Sequence, residues 1–587
     1  NEATRQGYSQ PVMRDSVEHL ESIRVTEFSI KDSGPVDQSC ENNKPMLKAL
    51  HQSELMILGT MERDIVPHLP EKSKIIPLPT QGIFHPVLED RAVLSPKDTR
   101  LADAGLSFSP LGEGVKKHAM PPIPFPRKQV KDVANDILEK LIAVAPPYFS
   151  HRSRQLLSDQ EIVGGIPGVQ GYRSMDLSTS EGFPLQVMRP PGAKDKKWLV
   201  EVEETPEGNK IKALHPLLLE EREENRKLRK QGIAPPTVFV DALKDCHMAK
   251  EKVLKPGATR IFSASPLEFT MAVKEHFGHF QAALVNNRIE SETAVGINAD
   301  GPEWRQVVEY LDQVSTNQAN IVTGDYSHYG DSLQSECLYQ AFQIMIGWYQ
   351  HFFGDSPDID ECQKTRQVIC EEFLHVQHLA GNTLYKMYCG LPSGFALTVE
   401  LNSLVNMMYM RLAWLDSFDS KPSFRSLSTF NQKVRLLTYG DDLIMSISDD
   451  AVDCFNFRSV RAFLARYAIP FTHSSKKEDY DEPYEKLHQA TFLKRGFRPH
   501  PFHRGEYLAP LPDASIYNQL DWGWRCNDID ALVFSNMRSA LNSAYSRGKC
   551  FHADLRCRLM QYQAALNRHS RFETWDEVDR RVFSEYH

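Results

Sequence analysis

Apolar positions along this chain recur in two rhythms, and each rhythm predicts an element. Val133, Ile137, Leu141 and Ile142 are spaced for one face of a helix over 130–145. Leu397, Leu401, Leu404, Val405 and Met408 give a second helix a buried apolar face, fed by the tight loop that starts at Gly390. Residues 46–61 and 460–467 predict further helices, and 532–541 and 555–566 carry the strongest periodicity in a helical C-terminal stretch. Residues 217–230 read as a charged helix with Glu223 and Lys227 at the favourable i,i+4 spacing, its charge run a solvated face. Residues 320–327 form a short β-type run that ends in Asp325, and 491–497 alternate apolar and basic residues like a strand with Lys494 and Arg495 near its tip.

The most informative pattern is at 435–446. One apolar run ends at Leu437 and another resumes at Leu443, Ile444 and Met445, with Tyr439-Gly440-Asp441-Asp442 between them. Two short apolar runs joined by a Gly-first pair predict a β-hairpin with a type II′ turn, because glycine accepts the positive φ needed there. Adjacent carboxylates repel, so a bound cation is one good reason to place them together. An ordinary hairpin with a solvated acidic turn fits the same four residues.

Composition narrows the class. At 587 residues the chain exceeds one compact core, so several domains are expected, and 41% hydrophobic with 25% charged residues is ordinary for a globular protein. No apolar run reaches the ~18 residues of a membrane span. Stretch 396–415 comes nearest and is broken by Glu400, Asn402, Asn406 and Arg411. A net charge of −9 argues against a uniform basic coat for nucleic acid but permits a local basic channel. The ten cysteines contain no CxxC pair, which suits a reducing compartment and offers neither a zinc site nor a disulfide framework. His375 and His378 lack a further ligand nearby and read as ordinary core or surface histidines. The chain starts at Asn1 with no signal-peptide pattern after it, as expected of a fragment, a tag-stripped chain or a piece released from a larger precursor.

Other stretches carry candidate chemistry. Residues 1 to 90, with prolines at 67, 70, 77, 79 and 86, read as an extended arm lying on a larger body. Ser178-Thr179-Ser180-Glu181-Gly182-Phe183-Pro184 is a loop whose amides suit a phosphate, or a plain surface loop. Lys244, Lys250, Lys252, Lys255 and Arg260 flank the Pro256-Gly257 turn. Val253 and Ile261-Phe262 read as the two strands of a basic hairpin there, with Lys250 and Lys252 on one face. Such a hairpin suits a polyanion such as a triphosphate, or is merely exposed. Asp325 at its strand end is placed to hold a metal or to cap a helix near Ser332. Thr398, Asn402 and Asn406 form a polar stripe at i, i+4 and i+8, and such a stripe needs partners from a ligand cleft or from a neighbouring strand.

The order of these features is more specific than any one of them. Ser-Thr-Ser-x-Gly, basic segment, strand-Asp, Pro-Ser-Gly helix with Thr and Asn, Tyr-Gly-Asp-Asp hairpin, lysine loop and Phe-Leu-Lys-Arg strand follow one another over 175–500. This series resembles the RNA-dependent RNA polymerases of positive-strand RNA viruses, and among them picornavirus-like members of the iflavirus and dicistrovirus kind. The resemblance implies an α+β closed right hand. Its parts would be an arm over 1–90, fingers over 91–300 with the basic hairpin 244–262, a palm over 301–500 with finger insertions around 340–390, and a helical thumb over 501–587. The palm would hold a small antiparallel sheet, the thumb would start near 515–522, and the N-terminal part would bridge fingers and thumb.

The resemblance also implies roles. Asp325 and Asp441 would hold Mg²⁺, for which Mn²⁺ substitutes, with Tyr326 and Asp442 as further metal contacts. Lys476 would act as general acid toward pyrophosphate. Lys244, Lys250, Lys252 and Arg260 would neutralise the triphosphate. Ser393, Gly394, Thr398 and Asn402 would hold the ribose, either with Asp331 shifted to reach it or with Asn402 and Ser393 managing without it. Thr179, Ser180, Gly182, Lys494 and Arg495 would touch RNA. The implied partners are the RNA template and product duplex, nucleoside triphosphates, a small protein primer and other viral replication proteins. The implied place is the host cytoplasm, at membrane-associated replication complexes. Two departures stand out. The family's second Asp, five places after the first, is here Gly330, with Asp331 one further on, and Met248 stands where an Arg is usual. Rival readings are a reverse transcriptase, which shares a Tyr-x-Asp-Asp hairpin, and a non-catalytic RNA-binding scaffold.

Overall fold

The computed structural model describes residues 23–26, 28, 55–61, 66–119, 123–144, 154–387 and 389–586. The elements that build its centre begin with strands β1 (Met56–Thr60), β2 (Ile75–Pro77) and β3 (Glu89–Arg91) and helices α1 (Pro110–Lys116), α2 (Arg127–Val144) and α3 (Pro216–Lys230). Strands β4 (Val238–Leu243), β5 (His247–Ala249) and β6 (Ile261–Ala264), helix α4 (Leu267–Asn286), strand β7 (Ile321–Tyr326) and helix α5 (Ser335–Phe353) follow. Next come β8 (Gln377–Ala380), β9 (Thr383–Lys386), α6 (Thr398–Asp416), β10 (Val434–Tyr439), β11 (Asp442–Ile447) and β12 (Phe471–Thr472). The C-terminal part is α7 (Asp513–Asp521), β13 (Trp522–Trp524), α8 (Ile529–Ala544) and α9 (Lys549–Ala565).

A four-stranded antiparallel sheet in the order β10-β11-β7-β12 forms the middle of the molecule. Its strands are apolar on both faces because each face meets a different core. Val322, Leu436, Leu443 and Met445 pack into the large core with α2, α5 and α6. Ile321, Leu437 and Ile444 pack on the other side with Trp304, Phe492 and Phe497. Period-two alternation therefore sorts these residues between two apolar layers, and the run reads as continuous rather than alternating. Helix α6 is buried on all sides from Ser403 to Trp414, well beyond the single apolar face expected of it.

A second, five-stranded sheet has the order β6-β4-β8-β9-β1. Residues 56–60 are thus a strand, not part of the expected helix, and 46–54 lie outside the described residues. Edge pairing of β1 with β9 overrides the local helical spacing there. The basic segment also differs from expectation. β6 pairs with β4, Ile261 opposite Leu243, so the hairpin arms lie outside the basic residues. β5 pairs instead with β3, and 250–257 form successive turns around Val253, which packs on Val93 and Leu101. Lys250 and Lys252 do not share a strand face.

Two further expectations are corrected. The charge run of α3 is only half solvated. Glu223 and Lys227 pair on the exposed side at 3.1 Å, but Arg222 and Arg229 are buried, and Arg229 forms ion pairs with Glu268 at 2.7 Å and Glu372 at 3.0 Å. Around Lys494 the chain makes a tight two-residue turn rather than a strand. Phe492 and Arg495 exchange both backbone hydrogen bonds at 2.9 Å, and Leu493 and Lys494 stand at φ 57° and 61°. Leu-Lys is a poor sequence for such a turn. Tertiary packing holds it, with Phe492 and Phe497 stacked on Trp304.

The N-terminal and C-terminal parts meet. β2 pairs antiparallel with β13, and Leu78 and Phe84 share a core with Leu520, Met537 and Leu559. Helices α8 and α9 fall where the periodicity placed them.

A buried ion cluster braces the central sheet. Arg411 of α6 pairs with Glu292 (Nη1 to Oε1 3.0 Å) and with Asp136 of α2 (Nε to Oδ2 2.8 Å), and Lys140 reaches Glu292 at 3.1 Å. The Glu292 carbonyl accepts both the amide and the hydroxyl of Thr438 at 2.8 Å, which ties the cluster to β10. Burial would raise the Glu292 pKa, but Arg411 and Lys140 outweigh it and hold the carboxyl down at about 2. Its contribution to stability is therefore complete above the unfolded value near 4.5 and is lost as pH falls toward about 2. Glu292→Gln should lower stability by ~3–5 kcal/mol by leaving Arg411 uncompensated. It should also flatten the loss of stability between pH 4.5 and 2, as read by thermal denaturation across pH.

Candidate active site

The site is built where β7 ends and the β10–β11 turn begins. Backbone pairing runs as far as Tyr439 opposite Asp442 and leaves Gly440-Asp441 as the two-residue turn. Gly440 has φ 60° and Asp441 does not share a positive φ, which is the expected II′ geometry. Helix α6 clamps this turn. Ser403 Oγ accepts the Gly440 amide at 2.9 Å, and Asn406 Nδ2 donates to the Gly440 carbonyl at 3.0 Å. Asn406 Oδ1 accepts the Tyr326 phenol at 2.9 Å, so one side chain ties the turn to the end of β7. The polar stripe thus finds its partners partly in the sheet.

The register of β7 on β11, Gly324 opposite Leu443, brings Asp325 beside Asp441. Burial raises the Asp325 pKa, opposed by Lys476, Arg260 and Lys252. Asp441 is open to the cleft yet ringed by protein. Loss of surrounding water and then the Asp325 charge push its pKa up. Asp442 has a different role. Its Oδ2 accepts the Leu493 amide at 2.8 Å, which binds it to the tight turn, and burial pushes its pKa to about 7. Lys476 sits in a left-handed bend at φ 61° with Nζ 3.8 Å from Asp325 Oδ2.

In front of these acids lies a cleft of about 360 Å³ lined by Arg260, Ser263, Asp331, Ser393 and Asp441. Ser393 and Gly394 lie against β6. The Ser263 amide donates to Ser393 Oγ at 3.3 Å, and a Cβ on Gly394 would fall 2.0 Å from the Ser263 carbonyl oxygen, so only glycine fits. Thr398 Oγ1 donates to the Phe395 carbonyl at 2.7 Å and closes the loop before α6. Asn402 Oδ1 is buried and has no hydrogen-bond partner among the described residues. Asp331, despite its shift by one place, lines the same cleft as Asp441.

Not every candidate converges. Lys252 and Arg260 act on the acidic pair, but Lys250 is exposed in its turn and its charge acts on Asp521 instead. Lys244 stands beside Arg260, its amide donating to the Arg260 carbonyl at 2.9 Å. Arg495 is held by Asp300 at 2.8 Å and by the Ala509 carbonyl, whereas Lys494 is exposed. The loop at 178–184 is closed on itself. Lys196 donates to Thr179 Oγ1 at 2.6 Å, Ser180 Oγ accepts the Gly182 amide at 3.2 Å, and buried Glu181 binds Arg189 and Trp198. Tyr326 turns its phenol to Asn406, which leaves its main-chain carbonyl as the group it has for a cation.

The donor set of Asp325, Asp441 and main-chain oxygen is hard and anionic, which suits Mg²⁺ or Mn²⁺ rather than a thiophilic metal. A divalent cation would also relieve the mutual repulsion of the two carboxylates.

The family model for viral RNA-dependent RNA polymerase matches residues 83–564. This chain belongs to that family. The polymerase is 34% identical over 493 residues to the genome polyprotein of Deformed wing virus, covering 84% of this chain and 16% of that polyprotein. It is 26% identical over 571 residues to the replicase polyprotein of Drosophila C virus (strain EB), covering 94% of this chain and 31% of that one. The chain therefore spans a minor part of these relatives. Among solved structures, the Sicinivirus 3Dpol RNA dependent RNA polymerase superposes with a TM-score of 0.70 at 20% identity, over 91% of this chain and 99% of that one. The shared fold is the α+β right hand.

Two cleft residues of the polymerase carried no signal in the sequence. Lys117 and His118 follow α1 and line the cleft with Arg260, and Lys117 donates to the Gly257 carbonyl. Helix α1 is too short for its periodicity to mark them, and no motif spacing links them to the acids.

Asn406→Ala should leave the Gly440 carbonyl and the Tyr326 hydroxyl without partners. A loss of ~1–3 kcal/mol in thermal or denaturant unfolding is expected. With the turn loosened, half-maximal primer extension should require more divalent cation than in wild type.

Proposed function

We propose that this polymerase extends a 3′-hydroxyl with ribonucleotides at the Asp325–Asp441 pair, copying an RNA template. The 3′-hydroxyl gives up its proton to water, its oxygen forms a bond to the α-phosphorus of a nucleoside triphosphate, the bond from that phosphorus to the bridging oxygen breaks, and pyrophosphate leaves. The observation that carries this reading is the register that sets Asp325 beside Asp441, with Lys476 and Arg260 next to them. Two divalent cations, when bound, activate the attacking oxygen and offset charge on the leaving group. Mg²⁺ is the proposed cofactor, with Mn²⁺ able to substitute.

The chain's own residues do the rest. Asp325 and Asp441 hold the cations, and Asp442, tied to Leu493, keeps the turn in place. Lys252 and Arg260 offset the triphosphate charge, and Lys476 donates a proton to pyrophosphate. Ser393, Thr398, Asn402 and Asp331 read the ribose, where the 2′-hydroxyl distinguishes RNA precursors from DNA precursors. Lys494 and the exposed loop at Thr179 lie on the RNA backbone, and base pairing itself supplies sequence.

The proposed parts are fingers over 91–300, a palm over 301–500 with finger insertions around 340–390 that include β9, and a thumb over 501–587. The arm over 1–90 joins fingers to thumb, a reading supported by the pairing of β1 with β9 and of β2 with β13. The polyprotein relatives support release of this chain from a larger viral precursor. The same reading has it act with other replication proteins at membrane-associated complexes in the host cytoplasm and start from a small protein primer. No helix among the described residues is long and apolar enough to cross a membrane.

Primer extension with ribonucleotides tests the reading. Asp441→Asn should abolish Mg²⁺-dependent synthesis, by more than about 10³-fold, while its circular dichroism and melting stay close to wild type. Unchanged synthesis would favour the scaffold reading, and preferred use of deoxyribonucleotides would favour a reverse transcriptase. Efficient initiation by the purified enzyme without any primer would contradict the protein-primed start.

A further inference from the structure

Asp331 stands at one end of a circuit of polar groups that returns to the same cleft. Its Oδ1 lies 3.4 Å from His118 Nε2, and His118 Nδ1 lies 2.7 Å from the Tyr385 hydroxyl. Tyr385 donates to Asp241 Oδ2. Asp241 Oδ1 lies 3.0 Å from His378 Nδ1 and accepts the Ser263 hydroxyl at 2.7 Å. The Ser263 amide reaches Ser393 Oγ at 3.3 Å. Both ends of the circuit, Asp331 and Ser393, line the cleft in front of Asp441. Every side chain between them that belongs to β4, β6, β8 or β9, together with His118, is buried.

The donors in this circuit are determined. Tyr385 has one hydroxyl proton and gives it to Asp241, so its oxygen accepts from His118 Nδ1–H. The ring therefore presents Nε2 to Asp331, and the contact is favourable when one proton is shared between Nε2 and the carboxylate. Burial favours the neutral ring, opposed by the charges of Asp241 and Asp331, while His378 and Lys117 act with burial. A buried ring, held by Tyr385, thus stands 3.4 Å from the carboxylate of the displaced acid. Asp331 follows Gly330 in a short helical turn, where its carbonyl accepts the weak thiol donor of Cys389 at 3.5 Å and the neighbouring backbone is held by the Leu391 amide on the Gly330 carbonyl at 2.8 Å and the Gly390 amide on the Leu333 carbonyl at 2.7 Å.

We propose that His118 is a positioning residue that fixes Asp331 for recognition of the ribose 2′-hydroxyl, with Tyr385 and Asp241 fixing His118 in turn. This rests on the reading of Asp331 as a ribose-binding acid. A site built to pair with a hydroxyl rejects a substrate that lacks it, because its own polar groups are left unpaired. His118 sets selectivity between ribose and deoxyribose through the direction of one carboxylate, without touching the sugar.

The test is the ratio of kcat/KM for a ribonucleotide to that for its 2′-deoxy analogue, taken on the full chain with a primed template. Both substrates are measured on one preparation, so any inactive fraction cancels. His118→Phe should lower the ratio about tenfold, mainly through a higher KM for the ribonucleotide. His118→Gln keeps a donor at the Nε2 position and should stay within about twofold of wild type, whereas His118→Asn keeps one only at the Nδ1 position and should behave like Phe. In an Asp331→Asn background, His118→Phe should add nothing. If Asp331→Asn lowers the ratio and His118→Phe does not, the inference falls and the ribose reading stands. The inference also falls if Phe, Asn and Gln all lower it equally, because His118 would then serve packing alone. If Asp331→Asn leaves the ratio unchanged, the ribose reading itself falls and takes the inference with it.

Discussion

The whole site depends on one strand register. Gly324 stands opposite Leu443, so Asp325 emerges beside the Gly440-Asp441 turn and the two carboxylates act on each other against their own repulsion. A slip of one residue would exchange every side chain of β7 between the two cores and carry Asp325 away from the turn. The register is secured because the residues on each face fit different partners, Val322 among the residues packed with α6 and Ile321 among those packed with Trp304. Around this frame α6 holds the turn through Ser403 and Asn406, and the Arg411–Glu292 cluster holds β10.

Charge is arranged in layers around the acids. The pair itself is crowded and partly desolvated, which favours a cation. Lys476, Arg260 and Lys252 approach from the loops and lower the cost of that crowding. The net charge of −9 is therefore compatible with a basic cleft, because a few cations on short loops dominate the local field. Asp442 stands outside this balance. Its bond to the Leu493 amide makes it a brace between the turn and the Phe492–Arg495 bend.

Much of this was legible in the sequence, and the limits have physical causes. The hairpin at 434–447, the helix at 398–416 and the C-terminal helices carry local signals, namely a Gly-first turn and helical periodicity. Asp441 sits in that hairpin turn and Asp325 ends the β-type run at 320–327, and their pairing was implied by the family resemblance rather than by either pattern alone. The basic segment differs from its sequence pattern because β5 pairs with β3, far earlier in the chain, and a pairing partner distant in sequence leaves no local pattern, while β6 reaches back past the basic residues to β4. The Leu493-Lys494 turn was misread for the opposite reason. Its residues disfavour the conformation that packing on Trp304 imposes. Lys117 and His118 were invisible because their importance lies in what they face, not in how they are spaced.

The central claim is that Asp325 and Asp441 together form a divalent-cation site in front of the nucleotide. Anomalous diffraction from crystals of the polymerase with primed template RNA, a non-reactive nucleotide and Mn²⁺ tests it most directly. The expected map has two peaks ~3.5–4 Å apart, in contact with both Asp325 and Asp441 and with the triphosphate, while Asp442 keeps the Leu493 amide. Peaks that engage Asp442 in place of Asp325, or a triphosphate bound with no metal between it and these two carboxylates, would contradict the account.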